Sequence, residues 1–295
     1  MSLRGVTVRG QGAGVRAHFG ATMQVSGVVV ADALGAGIYA YEPHTALDVT
    51  ASYVHDNGPW PDGSSGDGVL AFGGATLRAR DVVVERATTA GVAAADANTR
   101  VELTDVVVRA TRSRADGDDG FGVATRDGAS LTGLRVVVAD NLEVGAYAAG
   151  AGSVLDLRDV IVRGTRPSGA GAGGFGLNVL GGASVSIRGA LFDDNRGAGV
   201  LVEGCHVALM ESVVRATGPG RLGGGYGLLA MGGAVVDATR AAFTRNAVVG
   251  VSASGASTVV DLRDSVVSDT RPDTFDAYGG AFSAREGASL RARAV

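Results

Sequence analysis

The chain has 295 residues, 48 of them Gly, with one Cys and 6 Pro; its 26 cationic residues are all Arg and face 30 acids, for a net charge of −4. An apolar content of 46% is enough to bury a core, which excludes wholesale disorder, and the lack of a strict Gly-X-Y period excludes collagen. One Cys excludes a disulfide framework or Cys-based zinc site, the acidic balance argues against a nucleic-acid partner, and no apolar run reaches the roughly 20 residues of a membrane span.

In chain order the sequence repeats one phrase: a Gly-Ala-Ser-like turn, an apolar-x-apolar pair, a polar step, then a β-branched triplet. The turn and its first apolar residue read Ala129-Ser130-Leu131, Ala183-Ser184-Val185 and Ala288-Ser289-Leu290. Triplets include Val28-Val29-Val30, Val106-Val107-Val108 and Val160-Ile161-Val162. With the first apolar residue as anchor, one column emerges: Leu3, Met23, Leu47, Leu77, Val101, Leu131, Leu155, Val185, Val207, Val236, Val260 and Leu290. From Met23 the spacings are 24, 30, 24, 30, 24, 30, 22, 29, 24 and 30, so short and long units alternate with a combined period near 54. A repeat architecture follows from that alternation.

Each unit predicts three short strands punctuated by Gly, with no helical period. A later Gly opens the third, as in Gly37-Ile38-Tyr39-Ala40, Gly91-Val92-Ala93-Ala94 and Gly199-Val200-Leu201-Val202. Three strands in 22 to 30 residues is the size of one coil of a parallel β-helix. Coils stack at about 4.8 Å, so about 11 of them would make a rod on the order of 50 Å long. A β-propeller needs four strands per blade, whereas the 54-residue pair holds six strand-like segments and no Trp-Asp signature.

Ten residues after the anchor lies a polar column: Asn57, Thr111, Asn141, Thr165, Asn195, Thr217, Asn246 and Thr270, with Ala33 and Ala87 in the same place nearer the start. Stacked at an inward corner, these side chains would satisfy backbone groups where the chain bends. The Asn-bearing corner, the Gly-Val/Ile-x-small phrase and the coil length together resemble the right-handed parallel β-helix repeat of the pectate-lyase-like superfamily. The resemblance covers nearly the whole chain. It implies an all-β, right-handed parallel β-helix in one domain over 1–295, with short and long coils alternating. It also implies a carbohydrate-related or surface setting, extracellular or periplasmic, although no signal-like stretch opens the sequence. It does not choose among lyases, hydrolases, epimerases, tailspikes and adhesins. Ser2-Leu3-Arg4 and Ser289-Leu290-Arg291 read as equivalent points inside a coil, neither capped, so a segment of a longer array is expected. The absence of Lys with abundant Arg, Ala, Val and Gly suggests a high-GC bacterial genome.

All the added length of the long units falls just after the polar column, in inserts 58–67, 112–121, 166–175, 218–226 and 271–280. Recurring every second coil, they should form a ridge about 9.6 Å apart, where binding groups would be carried. Their aromatic residues Trp60, Phe121, Phe175, Tyr226 and Tyr278 are candidates for stacking on a glycan, or else plugs over the coil. Asp116, Asp118 and Asp119, and likewise the phrase Asp62-Gly63-Ser64-Ser65-Gly66-Asp67, offer oxygen ligands for calcium, or read as solvated turn residues. One residue after the anchor, Asp237 and Asp261 fall on neighbouring coils with Arg263 and Arg291 nearby, a paired-carboxylate arrangement that would suit polysaccharide cleavage. The polygalacturonase Gly-His-Gly and Arg-Ile-Lys phrases are absent, and Asp193-Asp194 reads as a repeat corner. His18, His44, His55 and His206 fall in different columns, and Cys205 reads as a small buried thiol.

Eight residues past the anchor, Glu85 with Arg109, and Arg163 with Asp193 and Arg215, should pair between coils. The middle residues of the triplets, from Val29, Tyr53 and Val83 through Ile161 and Leu191 to Val266, are apolar throughout. They should form an outward stripe and, if uncovered, a self-association surface. The sequence is thus expected to encode a non-catalytic binding or structural scaffold, for carbohydrate or a cell-surface component. A polysaccharide lyase or hydrolase and a self-assembling surface module are the alternatives, and no cofactor beyond the calcium candidate is implied.

Overall fold

The computed structural model describes residues 1–10, 12–221, 223–272 and 279–295. Its elements are parallel strands, with no helix among the described residues, and therefore none long and apolar enough to cross a membrane. Most coils carry a five-residue first strand, a three-residue second strand and a six-residue third strand, as in Ala46–Thr50, Tyr53–His55 and Asp67–Phe72. In Arg100–Arg109 and Ser130–Ala139 the first two run together, and the first coil's strands have three residues each. First and second strands stack into one 21-stranded sheet and third strands into an 11-stranded sheet. The strands meet their counterparts in adjacent coils, which is the β-solenoid read from the repeat.

The anchors are vertical neighbours: Leu77 pairs with Leu47 and Val101, and Val101 with Leu131. Anchor and anchor-plus-two point inward, and Leu47, Leu77, Leu131, Leu155, Leu157 and Leu209 are fully buried. Inward Val and Phe of the second strands and small apolar residues of the third complete one continuous core. One register differs from expectation. Leu3 stands beside Val25, two residues beyond the anchor Met23. The Gln24 N–H donates to the Met1 carbonyl, so the first anchor position belongs to Met1 and the first coil is two residues longer than the Leu3 alignment implied.

The polar column is an internal ladder. The backbone N–H groups of Ala33, Thr111, Thr165 and Thr217 donate to Oδ1 of Asn57, Asn141, Asn195 and Asn246 at 3.2, 2.9, 3.1 and 3.1 Å. The Nδ2 groups of Asn195 and Asn246 donate to the carbonyls of Val162 and Val214, both at 3.1 Å. Each of these amides satisfies backbone that the corner withdraws from the strand ladders. The Gly opening each third strand is required by that packing: a Cβ on Gly37 would come within 2.6 Å of Asn57 Nδ2 and 2.7 Å of the Gly68 carbonyl oxygen.

The outward stripe is present, with Val29, Tyr53, Val83, Val107, Val137, Ile161, Leu191, Val213, Ala242 and Val266 in unbroken register. In the neighbouring column Glu85 pairs with Arg109 at 3.1 Å and Asp193 with Arg215 at 2.9 Å, but Arg163 makes no ion pair among the described residues.

Candidate functional site

The inserts all lie between the second and third strands of alternate coils, as the spacing required, and end on the first residue of a third strand. The second, third and fourth inserts touch across the intervening short coils. A Cβ on Gly117 would lie 2.9 Å from Ala170, and one on Gly171 would lie 2.6 Å from the Arg221 side chain. They form a continuous ridge beside the outer face of the 11-stranded sheet.

On that face the stacking of coils creates an aromatic platform. Tyr41 and Phe72 stack with centroids 4.6 Å apart and 22° between planes, and Tyr39 lies 6.3 Å from Phe72. The first insert folds back over this end: the Trp60 N–H donates to the Ser64 carbonyl, and the Gly66 and Asp67 N–H groups both donate to the Gly35 carbonyl. Trp60 is thereby held over Gly35, beside a groove of about 250 Å³ lined by Tyr39, Ser64, Ser65, Leu70 and Phe72. Through Ser65, Leu70 and Phe72 the groove continues into a second hollow of about 240 Å³ lined by Asp67, Thr89, Asp96, Arg114, Asp119 and Arg126. The result is one trough, apolar and aromatic at one end, charged at the other.

The carboxyls at the charged end are unusual. Asp67 is 2% exposed, and its Oδ2 accepts a hydrogen bond from Ser65 Oγ at 2.7 Å while Oδ1 has no partner. Burial pushes its pKa up to about 6, against the opposing effect of the Ser65 bond. Burial also raises Asp119, although Arg114 lies 3.0 Å from its carboxylate. Glu143, on the next short coil, is raised to about 7 by burial and by repulsion from Asp119 and Asp118. Low local dielectric disfavours the charged forms, and the neighbouring acids add to it.

The residues expected from sequence are distributed differently. Trp60 is 37% exposed at the trough. Phe121 is 7% exposed, its ring stacked on Tyr147 at 4.5 Å and 7°, so its face is taken by packing. Phe175 packs against the same small cluster and Tyr226 against Ala247, Val248 and Val249. Tyr278 lies outside the described residues. Asp116 and Asp119 each contact Arg114, and no group of three or more His, Cys, Asp or Glu among the described residues is arranged to hold a metal ion.

Asp237 and Asp261 are register neighbours, and Asp261 adjoins Arg291. Each carboxylate has its own nitrogen neighbour: His206 Nε2 lies 3.2 Å from Asp237, and Arg263 Nη2 lies 2.7 Å from Asp261 and 4.0 Å from Asp237. The Arg263 hydrogen bond holds the Asp261 carboxyl below its ordinary range, the opposite of what a proton donor requires. On the same face, a wider cleft of about 410 Å³ is occupied by an Asp48–Arg78–Glu102 ladder whose charges pair with one another.

The trough residues Tyr39, Leu70, Phe72 and Arg126 were not singled out from sequence as a site, and Asp67 entered only as an oxygen ligand of the acidic loop phrase weighed for calcium. The clue was local: Ser64-Ser65-Gly66-Asp67 enters a third strand with an acid where the next three inserts carry Phe121, Phe175 and Tyr226.

The family model for the right handed beta helix region matches residues 1–165. No curated protein matches the chain in sequence at a significant level. Among solved structures, the Dettilon tailspike protein is similar at 11% identity with a TM-score of 0.55, over 96% of this chain and 61% of that one. Tailspike protein 2 of the Escherichia coli bacteriophage CAB120 is similar at 11% identity with a TM-score of 0.53, over 92% of this chain and 37% of that one. The A-module of the Azotobacter vinelandii mannuronan C-5 epimerase aligns at 13% identity over 92% and 88% of the two chains, with a TM-score of 0.47. The chain thus spans less than two thirds of either tailspike protein, and the likeness is one of fold.

Proposed function

The chain belongs to the right-handed β-helix family, which supplies a rigid rod and leaves the ligand to the residues it carries, and we propose that those residues make it a carbohydrate-binding scaffold. The observation that carries this reading is the trough, where Trp60, Tyr39 and Phe72 adjoin Ser65, Asp67, Asp119 and Arg126. Sugar rings present flat C–H faces that pack on aromatic rings, and their hydroxyls need donors and acceptors nearby. A glycan segment lying along the trough meets both in sequence. The reading places the protein where such polymers occur, outside the cell or at its surface.

A glycan-array screen tests it. Binding of an oligosaccharide that falls at least about tenfold in Trp60→Ala and Phe72→Ala supports the reading. Binding to no glycan, or binding indifferent to both substitutions, removes it.

A second reading, cleavage of the bound glycan, is favoured by one observation: the carboxyls of Asp67 and Asp119 line the same hollow, where burial raises both. A protonated carboxyl gives its proton to the leaving oxygen and an ionised one activates water, so the pair has the chemistry of glycoside hydrolysis. New reducing ends that disappear in Asp67→Asn and Asp119→Asn, with binding retained, support it. Binding without turnover, assayed also for unsaturated products, leaves the scaffold alone.

A further inference from the structure

The apolar stripe on the second strands carries a charge pattern that specifies a partner. It runs from Val29 to Val266 in register, half-buried along most of its length, and Ile161 near its centre is 37% exposed. Nine strand spacings make it about 43 Å long. On one side of it lies the corner residue two positions before the stripe residue, and on the other the residue two positions after. In three long coils the first is acidic and the second is Arg: Asp105 and Arg109, Asp159 and Arg163, Glu211 and Arg215. The first side, with Arg135 and Arg240 as its cations, is acidic on balance, and the second carries Glu85 and Asp193 beside its three Arg. Asp81 with Glu85 is the one like-charged pair of the two columns in a single coil. Asp159, Ile161 and Arg163 are all exposed, and neither charge has an ion-pair partner among the described residues.

Two rods facing each other through this stripe have two simple arrangements. A two-fold axis perpendicular to the rods, with the chains antiparallel, sets the acidic edge of one copy against the acidic edge of the other. A two-fold axis parallel to the rods keeps the coils level and sets the acidic edge of each copy against the Arg edge of its partner. In the second arrangement Asp159 meets the partner copy's Arg163 and the reverse, with Ile161 against its own counterpart between them. That is the self-complementarity of an isologous interface. Like charges placed opposite cost affinity and matched ones fix register.

We propose that the stripe is a docking surface for a second copy of this chain, packed parallel and coil-for-coil about a two-fold axis along the rod. With flanking columns the strip is about 13 Å wide, giving on the order of 600 Å² per copy, at the lower end of specific interfaces. We expect a weak dimer of micromolar affinity, since area alone sets no value.

Sedimentation equilibrium across micromolar concentrations is the test. The wild-type chain is expected to be a dimer at about 100 µM, and Ile161→Glu a monomer there. Asp159→Arg and Arg163→Asp should each weaken the dimer at least about tenfold, because each places like charges in opposition. The double variant Asp159→Arg/Arg163→Asp should return to within about threefold of wild type. A wild-type monomer at 100 µM, a species of another size, or a double variant no better than the singles overturns the proposal. All three sites are outward, and circular dichroism of each variant checks that the fold is retained.

Discussion

The indole of Trp60 occupies the space in which a side chain on Gly35 would begin: a Cβ built there would overlap Cε2, Nε1 and Cζ2 of the ring. Gly35 also holds a φ of +78°, where an L side chain is strained by about 1–2 kcal/mol. Gly35→Ala should therefore displace the ring and loosen the first insert without touching the core. Trp60 is the single Trp of the chain, so its fluorescence reports the change directly. Emission is expected to move to longer wavelength, and glycan affinity to fall about as far as in Trp60→Ala. Unchanged emission would show that the ring is not seated on Gly35.

Asp67 gives a pH dependence of definite sign. Its carboxyl is pushed up to about 6 when folded, against an ordinary 3.8, so the folded state binds the proton more tightly than the unfolded one. The contribution is most favourable below about pH 4, falls as pH rises towards 6, and is level above that. Its full span is at most about 3 kcal/mol. Asp67→Asn removes the titration, so the difference in unfolding free energy between wild type and variant should shift in the variant's favour from pH 4 to pH 7.5. Denaturation midpoints at four pH values check this. Because Glu143 and Asp119 are raised as well, that difference, rather than the wild-type curve alone, isolates Asp67.

The coil was legible because an inward position must repeat in every turn: Leu77, Val101 and Leu131 recur at the alternating interval and stand together in the core. The Asn ladder was legible for the same reason, since its amides meet the same backbone need at each corner. Leu3 was misplaced because a terminal coil has a neighbour on one side only, so a two-residue shift still aligns apolar with apolar. The trough could not be seen in this way. Tyr39, Phe72 and Trp60 occupy different positions in different units, and their meeting depends on the first insert folding back onto Gly35. Asp67 reads as a polar turn residue until that fold buries it.

Asn195 and Arg215 lie about one coil apart and should differ sharply in what they contribute. Asn195 is fully buried, accepting from the Thr165 N–H and donating to the Val162 carbonyl at 3.1 Å each. Asn195→Ala leaves both backbone groups buried without partners and should cost about 2–4 kcal/mol. Arg215 makes a two-pronged contact with Asp193 at 2.9 and 3.2 Å in a partly solvated setting, so Arg215→Ala should cost no more than about 1 kcal/mol. Urea denaturation of the two variants separates them; equal losses would mean that the ladder is not what ties the coils at this corner.

Two glycines, Gly133 and Gly199, respond to the same substitution in different ways. A Cβ on Gly133 would come 2.7 Å from Leu157 Cδ2, the mobile end of a side chain, and 3.2 Å from Val136 Cγ2. Gly133→Ala therefore asks Leu157 to shift within an apolar layer and should change stability by no more than about 1.5 kcal/mol. A Cβ on Gly199 would meet Val214 Cγ1, the Gly227 carbonyl oxygen at 2.9 Å and Thr217 Oγ1 at 2.9 Å. The carbonyl belongs to the next coil's backbone and cannot withdraw unless the two coils part at the polar corner. Gly199→Ala should cost more than about 3 kcal/mol, with loss of amide protection centred on Ala198–Glu203 and Tyr226–Met231. Hydrogen exchange distinguishes the cases: a small uniform effect for Gly133→Ala against a local opening for Gly199→Ala. Comparable, uniform losses in both would mean that the close approach of adjacent third strands does not select glycine at this column.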